Sequence, residues 1–226
     1  MLKLSLLKSR LCWRAFRAEH KQLKSYQRAL LSELDKSIYE ASLVALDLEM
    51  TGLNSSQDQI LSIGLIPIER GQIILQRAEH RLVQIRGSVG NSAVIHGILD
   101  AHLTQGETLD AVIAWLLQVT EGKILVAHHA PLDLKFIQQA LLATLGETTK
   151  FIGLDTLAIE KKRLLRQHEM LEKGSLRLGA SRQRYNLPVY AAHNAIIDAL
   201  ACGELLLAQV ADMGGAERVK VCDLLE

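Results

Sequence analysis

The sequence predicts an α/β domain with a mixed sheet covered by helices, and three observations carry the prediction. Short apolar runs first follow one another and then alternate with helical stretches, which places an antiparallel meander beside parallel strands. Pro67, Pro131 and Pro188 all fall at boundaries between those runs. No apolar run approaches the roughly 18 to 20 residues that span a membrane.

Taken in order, the first forty residues read as helix. Leu4, Leu7, Leu11, Ala15 and Ala18 recur at spacings of three and four, and Leu23, Tyr26, Leu30, Leu34 and Ile38 resume the pattern one step later. Nine basic residues face four acidic ones in this arm, a balance of +5; the whole chain is +1, so the remainder carries −4. The arm is expected to pack on the domain, with contact to nucleic acid or a partner as the competing use. Its acid-poor first eighteen residues also resemble a transit peptide in composition, although Lys3 and Lys8 interrupt any secretory apolar core.

Strands are expected at 43–48, 60–66 and 72–83, with Glu69-Arg70-Gly71 as a turn between the last two. A helix over 109–119, a buried strand over 123–127, a helix over 132–145 and a short strand over 151–154 follow. Helices near 156–165, 176–185 and 195–211 complete a five-stranded mixed sheet with its cover. The expected organisation is a basic helical arm over 1–40, one domain over 41–213 and a short tail over 214–226.

Composition bounds the function. At 226 residues, 49% hydrophobic and 23% charged, the chain fits one globular domain with an extension and can bury an ample core. Cys12, Cys202 and Cys222 are far apart and lack C-x-x-C spacing, so neither a disulfide framework nor a zinc site is expected. A reducing compartment, the cytoplasm, suits them. An acidic body is unsuited to holding nucleic acid by bulk charge, so phosphate affinity there must come from metal ions or a few placed groups.

Three stretches place acids or histidines at element edges. In VALDLEMTGL, Asp47 and Glu49 end an apolar run, and residues two apart on a strand share a face. Two like charges so placed raise each other's pKa unless a cation lies between them, and Mg²⁺ takes such carboxylates. A strand end running into solvent with both acids hydrated is the plain alternative. In AHHAPLDLKFI, Asp133 falls in the first turn of a helix, where the helix dipole alone favours an acid. In AAHNAIIDALA, His193 and Asp198 are about 140° apart if both are helical, so they converge only if His193 belongs to the preceding loop.

DLEMTG, AHHAPLD and HNAIID, in that order and at these separations, resemble the three motifs of the DEDD exonuclease superfamily in its histidine-bearing, DnaQ-like branch. The likeness runs from about Val44 to Val210. VIHGIL at Val94–Leu99, LDTLAI at Leu154–Ile159 and SLRLGASRQRYNL at Ser175–Leu187 resemble further family segments. The chain is most similar to the proofreading epsilon subunit of bacterial DNA polymerase III and its stand-alone relatives.

The resemblance implies a ribonuclease H-like fold and a 3′-5′ exonuclease that releases 5′-mononucleotides. It implies that Asp47, Glu49, Asp133 and Asp198 bind two divalent metal ions, Mg²⁺ or Mn²⁺, with Asp133 acting largely through water, and that His193 is the general base. It further implies substrate contacts from Met50, Thr51 and His96. A turn packing on itself equally explains Thr51, and a satisfied loop histidine equally explains His96. His128 and His129 are not expected to bind metal, because Mg²⁺ prefers oxygen and adjacent residues on extended chain point apart.

Two departures from the family pattern lie beside the implied substrate path: His129 stands where Asn is common, and Leu132 where Phe is usual. The expected activity is DNA 3′-end removal in repair or proofreading, on single-stranded or frayed ends. The DLEMTG form is also that of oligoribonucleases, so an RNA-directed exonuclease is the alternative, and a non-catalytic interaction module a third. With little chain after the last helix, a stand-alone enzyme is expected, with the arm open to a polymerase, replication or repair partner.

Overall fold

The computed structural model describes residues 2–167 and 169–225. Its sheet is mixed. β1 (Leu43–Met50) and β2 (Ile60–Glu69) run antiparallel, while β5 (Ile124–Ala127) joins the other side of β1 in parallel and β6 (Gly153–Asp155) continues in parallel beyond it. β1 and β5 read as almost uninterrupted apolar runs because both their faces are covered.

One expectation is corrected. The single strand over 72–83 is two strands, β3 (Gln72–Ile73) and β4 (Glu79–Leu82), so the sheet has six strands and not five. Both pair with β2, in different registers. Three residues of β2 separate Ile68 from Leu65, whereas six separate their partners Ile73 and Glu79. The surplus is taken up by a 3-10 turn at Leu75–Arg77, and the turn keeps both halves on one partner strand.

Helices cover both faces. α5 (Leu109–Thr120) packs on α6 (Ala130–Leu145), which follows β5 directly, and α7 (Thr156–Leu164) follows β6. α8 (Leu178–Gln183) leads by a loop to α9 (Ala195–Asp212), whose buried Ala199, Leu205, Leu206 and Val210 lie across β1 and β2. The approach is close because two glycines permit it. A Cβ at Gly203 would stand 3.2 Å from that of Ala45, and one at Gly64 would collide with the main-chain carbonyl of Ala195. Two single-turn helices, α3 (Ala93–His96) and α4 (Asp100–Leu103), fill the stretch between β4 and α5.

The arm forms α1 (Leu2–Arg17) and α2 (Lys21–Ala29), and the one-step phase shift in its apolar pattern is the elbow at residues 18–20. There the Glu147 carboxylate accepts the backbone N–H groups of Glu19 and His20, at 3.1 and 2.8 Å. Leu11, Leu23, Tyr26, Leu30, Leu34 and Ile38 are at most 1% exposed and belong to the main core. Each such side chain contributes about 1.5–3 kcal/mol. Together they rival the ~5–15 kcal/mol net stability of a whole domain, so the arm is integral to the fold. Residues 36–39 also bond to the chain end, Ile38 N–H to Val219 O and Val221 N–H to Lys36 O; α10 (Val221–Leu224) follows. Among the described residues, no helix is long and apolar enough to cross a membrane.

Candidate active site

The site forms at the carboxyl end of β1. Asp47 and Glu49 project to the face that α9 covers, the same face on which Ala45 meets Gly203. Opposite them stand Gly64 and Ser62, and the register then slips at a bulge, Glu49 pairing with Ser62 but Met50 with Ile60. The bulged residue, Leu61, is fully buried in a small second core with Val89 and Leu103. A bulge at this point bends β2 and ends the ladder where the carboxylates begin.

Asp198 comes from the first turns of α9. Asn194 caps that helix, its side-chain oxygen accepting the Ile197 N–H at 3.4 Å. His193 lies outside the helix in the left-handed region, φ +66°, and its backbone N–H donates to Asp198 Oδ2 at 2.6 Å. The Asn194 N–H adds a second, longer bond to the same oxygen, at 3.3 Å. The loop that presents His193 is thereby fastened to a carboxylate of the site. Oxygens of Asp47, Glu49 and Asp198 all lie within 4.8 Å of one another.

Asp133 approaches from the first turn of α6 and is 4% exposed. The chain reaches it through His129, which sits at the helix start with φ +71° and donates its N–H to Asp155 Oδ1 at 2.9 Å. Histidine, like asparagine, tolerates the left-handed region better than most residues, which accounts for His129 at a position where the resembled family favours Asn. Asp133 does not belong to the close trio.

All four carboxyls are held more basic than usual. Burial pushes Asp47 well up, and Asp133, Asp198 and Glu49 push it further. Burial with repulsion from Asp198 brings Glu49 to about 7. Asp133 reaches about 8, chiefly through burial, with Asp155 and Glu49 adding to it. Asp198 is raised by burial, against the opposing N–H bonds from His193 and Asn194. Among the described residues, none of the four forms an ion pair with Lys or Arg. Hard oxygen donors gathered without a cationic side chain fit divalent cations such as Mg²⁺ or Mn²⁺.

The remaining sequence-selected residues divide. Met50 follows Glu49 and is half-buried against the core. The Thr51 hydroxyl closes its own turn, donating to Asp58 Oδ1 at 3.3 Å and accepting from the Gln59 N–H at 2.9 Å. His96, at the end of α3, comes near enough to His193 to be affected by it; the His96 pKa is lowered by burial first and by His193 second. Its Nδ1 accepts the Ile98 N–H at 3.1 Å, while Nε2 is buried without a protein partner. His128 is engaged at both nitrogens, by Thr156 Oγ1 and Leu176 O, and ties β5 to the segment before α8.

Sequence reasoning missed two parts of the site. Asp155 caps α7, bonds His129 and crowds Asp133; an Asp directly before a helical run was the signal for its cap. Arg182, 3% exposed, donates to Ala201 O at 2.6 Å, Pro188 O at 2.8 Å and Glu204 Oε2 at 2.7 Å, and stands 4.7 Å from the centre of the Tyr190 ring. Tyr190 in turn donates to Glu204 Oε1 at 3.0 Å. These bonds hold the 188–190 loop, three residues before His193, between α8 and α9. Nothing local in the sequence distinguishes this arginine from an exposed one.

The exonuclease family model matches residues 44–206, which contain all four carboxylates and His193. The chain belongs to the exonuclease family. It is 29% identical over 174 residues to the PolC-type DNA polymerase III of Thermotoga petrophila, covering 76% of this chain but 12% of that protein. It is 27% identical over 170 residues to the DNA polymerase III epsilon subunit of Treponema pallidum, covering 75% of this chain and 77% of that one. The chain thus spans about an eighth of the length of the PolC-type relative. Among solved structures, cell-death related nuclease 4 superposes with a TM-score of 0.66 at 17% identity, over 79% of this chain and 66% of that one. E. coli exonuclease I, crystallised with a dT13 oligonucleotide, gives 0.62 at 15% identity, over 74% and 40%. The exonuclease fold here is ribonuclease H-like, with the helical arm added in front.

Proposed function

We propose that this exonuclease removes mononucleotides from the 3′ ends of DNA, single-stranded or frayed, in repair or proofreading. The observation that carries the reading is the fastening of the His193 loop to Asp198, within a trio of carboxylates that also includes Asp47 and Glu49. Asp47, Glu49 and Asp198 would hold one divalent cation, and Asp133, with Asp47, would help hold a second. Paired cations at a phosphodiester stabilise the attacking and the leaving oxygen of an in-line displacement.

The chain supplies the rest. The exposed His193 side chain takes the proton of the attacking water, a task that falls most often to a histidine. His96, with Nδ1 accepting from Ile98, carries its proton on Nε2 when neutral, and that buried donor has no protein partner. Met50 and the backbone at Thr51, next along the chain from Glu49, would contact the terminal nucleotide. Support for DNA comes from relatives that are a PolC-type DNA polymerase III and a DNA polymerase III epsilon subunit, and from the neighbour crystallised with dT13.

The test is digestion of 5′-labelled single-stranded DNA and RNA of one sequence, with Mg²⁺ or Mn²⁺ and with Asp47→Ala as control. A one-nucleotide ladder on DNA that vanishes in the variant is the expected result. Faster digestion of RNA would move the role to RNA turnover, and no ladder on either would overturn the reading.

A further inference from the structure

The exonuclease reading accounts for the carboxyl end of β1 and leaves the outer face of α1 unexplained. At 100° per residue, Leu6, Arg10, Trp13 and Arg17 form one ridge of this helix, opposite the buried Leu11 and Ala15. Trp13 and, beside the ridge, Phe16 are 58% and 80% exposed, an unusual place for two of the chain's few aromatic rings. α1 contains no acidic residue. Among the described residues, Lys8 alone of its cations has an acidic partner, Asp35. The Arg17 guanidinium stands 4.9 Å from the centre of the Trp13 ring, so ring face and charge are presented together.

A cavity of about 540 Å³ opens beside the ridge, with Trp13, Arg14, Arg17, Glu147 and Lys150 in its lining. Glu147 is its one acid, and that carboxylate is engaged by the backbone N–H groups of the elbow. Burial first and the neighbouring Arg10 second hold Arg14 below its ordinary pKa. The body of the chain is acidic, so this arm is where a polyanion finds complementary charge.

We propose that the outer ridge of α1 and the cavity beside it form a binding surface for single-stranded nucleic acid. Trp13 and Phe16 offer stacking faces for bases, and Arg10, Arg14, Arg17 and Lys150 take phosphates. α6 carries Asp133 in its first turn, and the cavity lining runs from Gln138 to the residues beyond the helix end, from about 8 to about 20 Å further along at 1.5 Å per residue. A strand whose 3′ end lies at Asp47 therefore reaches the ridge only with nucleotides well behind the terminal one. The surface tethers long substrates and leaves very short ones untouched. That tethering role rests on the exonuclease reading; the binding itself does not. A membrane surface fits less well, because the broad apolar face that such a helix would insert is already buried in the core.

The test uses full-length Asp47→Ala protein without divalent cation and a fluorescent oligothymidylate of about twenty nucleotides. Each phosphate contact contributes about 0.7 to the slope of log affinity against log salt, so Arg10→Gln/Arg14→Gln/Arg17→Gln is expected to lower that slope by about 2. Trp13→Ala/Phe16→Ala is expected to weaken binding about tenfold or more. Apart from the half-buried Arg14, both variants replace exposed groups, and a melting temperature close to the parent's checks that each is folded. In the wild-type background they slow digestion of the long oligomer at subsaturating concentration and leave a trinucleotide unaffected. Undiminished binding of the oligomer by both variants overturns the proposal, as does a parent protein that does not bind it. So does a ridge that instead carries the protein onto phosphatidylserine vesicles. Ridge-dependent binding by a wild type that cleaves neither DNA nor RNA would sink the exonuclease reading and leave this surface standing.

Discussion

Gly64 and Ala195 are in main-chain contact: a Cβ on Gly64 would collide with the Ala195 carbonyl and stand 2.5 Å from the Ile196 nitrogen. Gly64 is also the residue paired with Asp47 across the β1–β2 ladder. One glycine thus sets both how closely α9 seats on the sheet and how far Asp198 stands from Asp47. Ordinary flexibility cannot absorb a methyl group here, since the atoms it would meet are backbone.

Gly64→Ala is therefore expected to cost about 1–3 kcal/mol of stability through overpacking. A shift of Asp198 by an ångström would lower kcat about a hundredfold. Thermal melting and steady-state digestion of a labelled oligonucleotide check both. A variant that melts lower yet turns over normally would show that α9 can retreat without moving the site.

Without divalent cation, stability should fall as pH rises from about 5 to 8. Glu49 at about 7 and Asp133 at about 8 hold protons in the folded chain that their unfolded forms, near 4, have already released. The folded state binds more protons across that window, so the slope of unfolding free energy against pH is negative, and the contribution is lost as pH passes the folded values. Mg²⁺ or Mn²⁺ should raise the melting temperature more at pH 8 than at pH 5.5, and their binding should release protons, seen by calorimetry in buffers of different ionisation enthalpy. Equal melting at both pH values without cation would refute this.

Asp47→Asn removes one charge from the most crowded carboxyl while keeping its shape. Its expected effect is a higher melting temperature at pH 8 without cation, together with activity lowered at least about a thousandfold, because a ligand is lost and the like-charge repulsion is lost with it. Stability and activity moving in opposite directions is the signature. A fall in both would mean that Asp47 supports the fold and not the chemistry.

Deleting residues 1–36 should leave no folded protein, since it strips Leu11, Leu23, Tyr26, Leu30 and Leu34 from the main core. Loss of cooperative melting, or expression only in inclusion bodies, is the expected result. A soluble truncation with native far-ultraviolet dichroism would show the arm to be an accessory.

Much of this architecture was legible because it depends on local patterns. The apolar runs at Leu43–Leu48 and Lys123–Ala127 announce covered strands, and the geometry of a helix alone requires His193 to stand in the loop before α9 if it is to approach Asp198. The broken strand was not legible, because neither Gly nor Pro interrupts residues 72–83, and the surplus of three residues exists only relative to β2. Gly64 did leave a signal, an isolated glycine inside a strand pattern, which marks close backbone approach. The buried Arg182 left none, since its partners come from two other segments, the 188–190 loop and α9.

Those partners lead to the last prediction. Arg182, Glu204 and Tyr190 join α8, α9 and the loop before His193, and Tyr190 reaches Glu204 through one hydroxyl at 3.0 Å. Tyr190→Phe deletes that bond and keeps the ring under the guanidinium. Hydrogen bonds to charged groups contribute about 1.5–3 kcal/mol, so a loop freed of this one should sample positions in which His193 stands away from the attacking water. The expected outcome is a kcat about tenfold lower with KM and cation affinity little changed, because neither the carboxylates nor Met50 moves. Glu204→Gln, which can still accept from Tyr190, should retain more activity than Glu204→Ala. A merely structural strut would lower the melting temperature in all three variants and leave kcat alone at a temperature where each is folded.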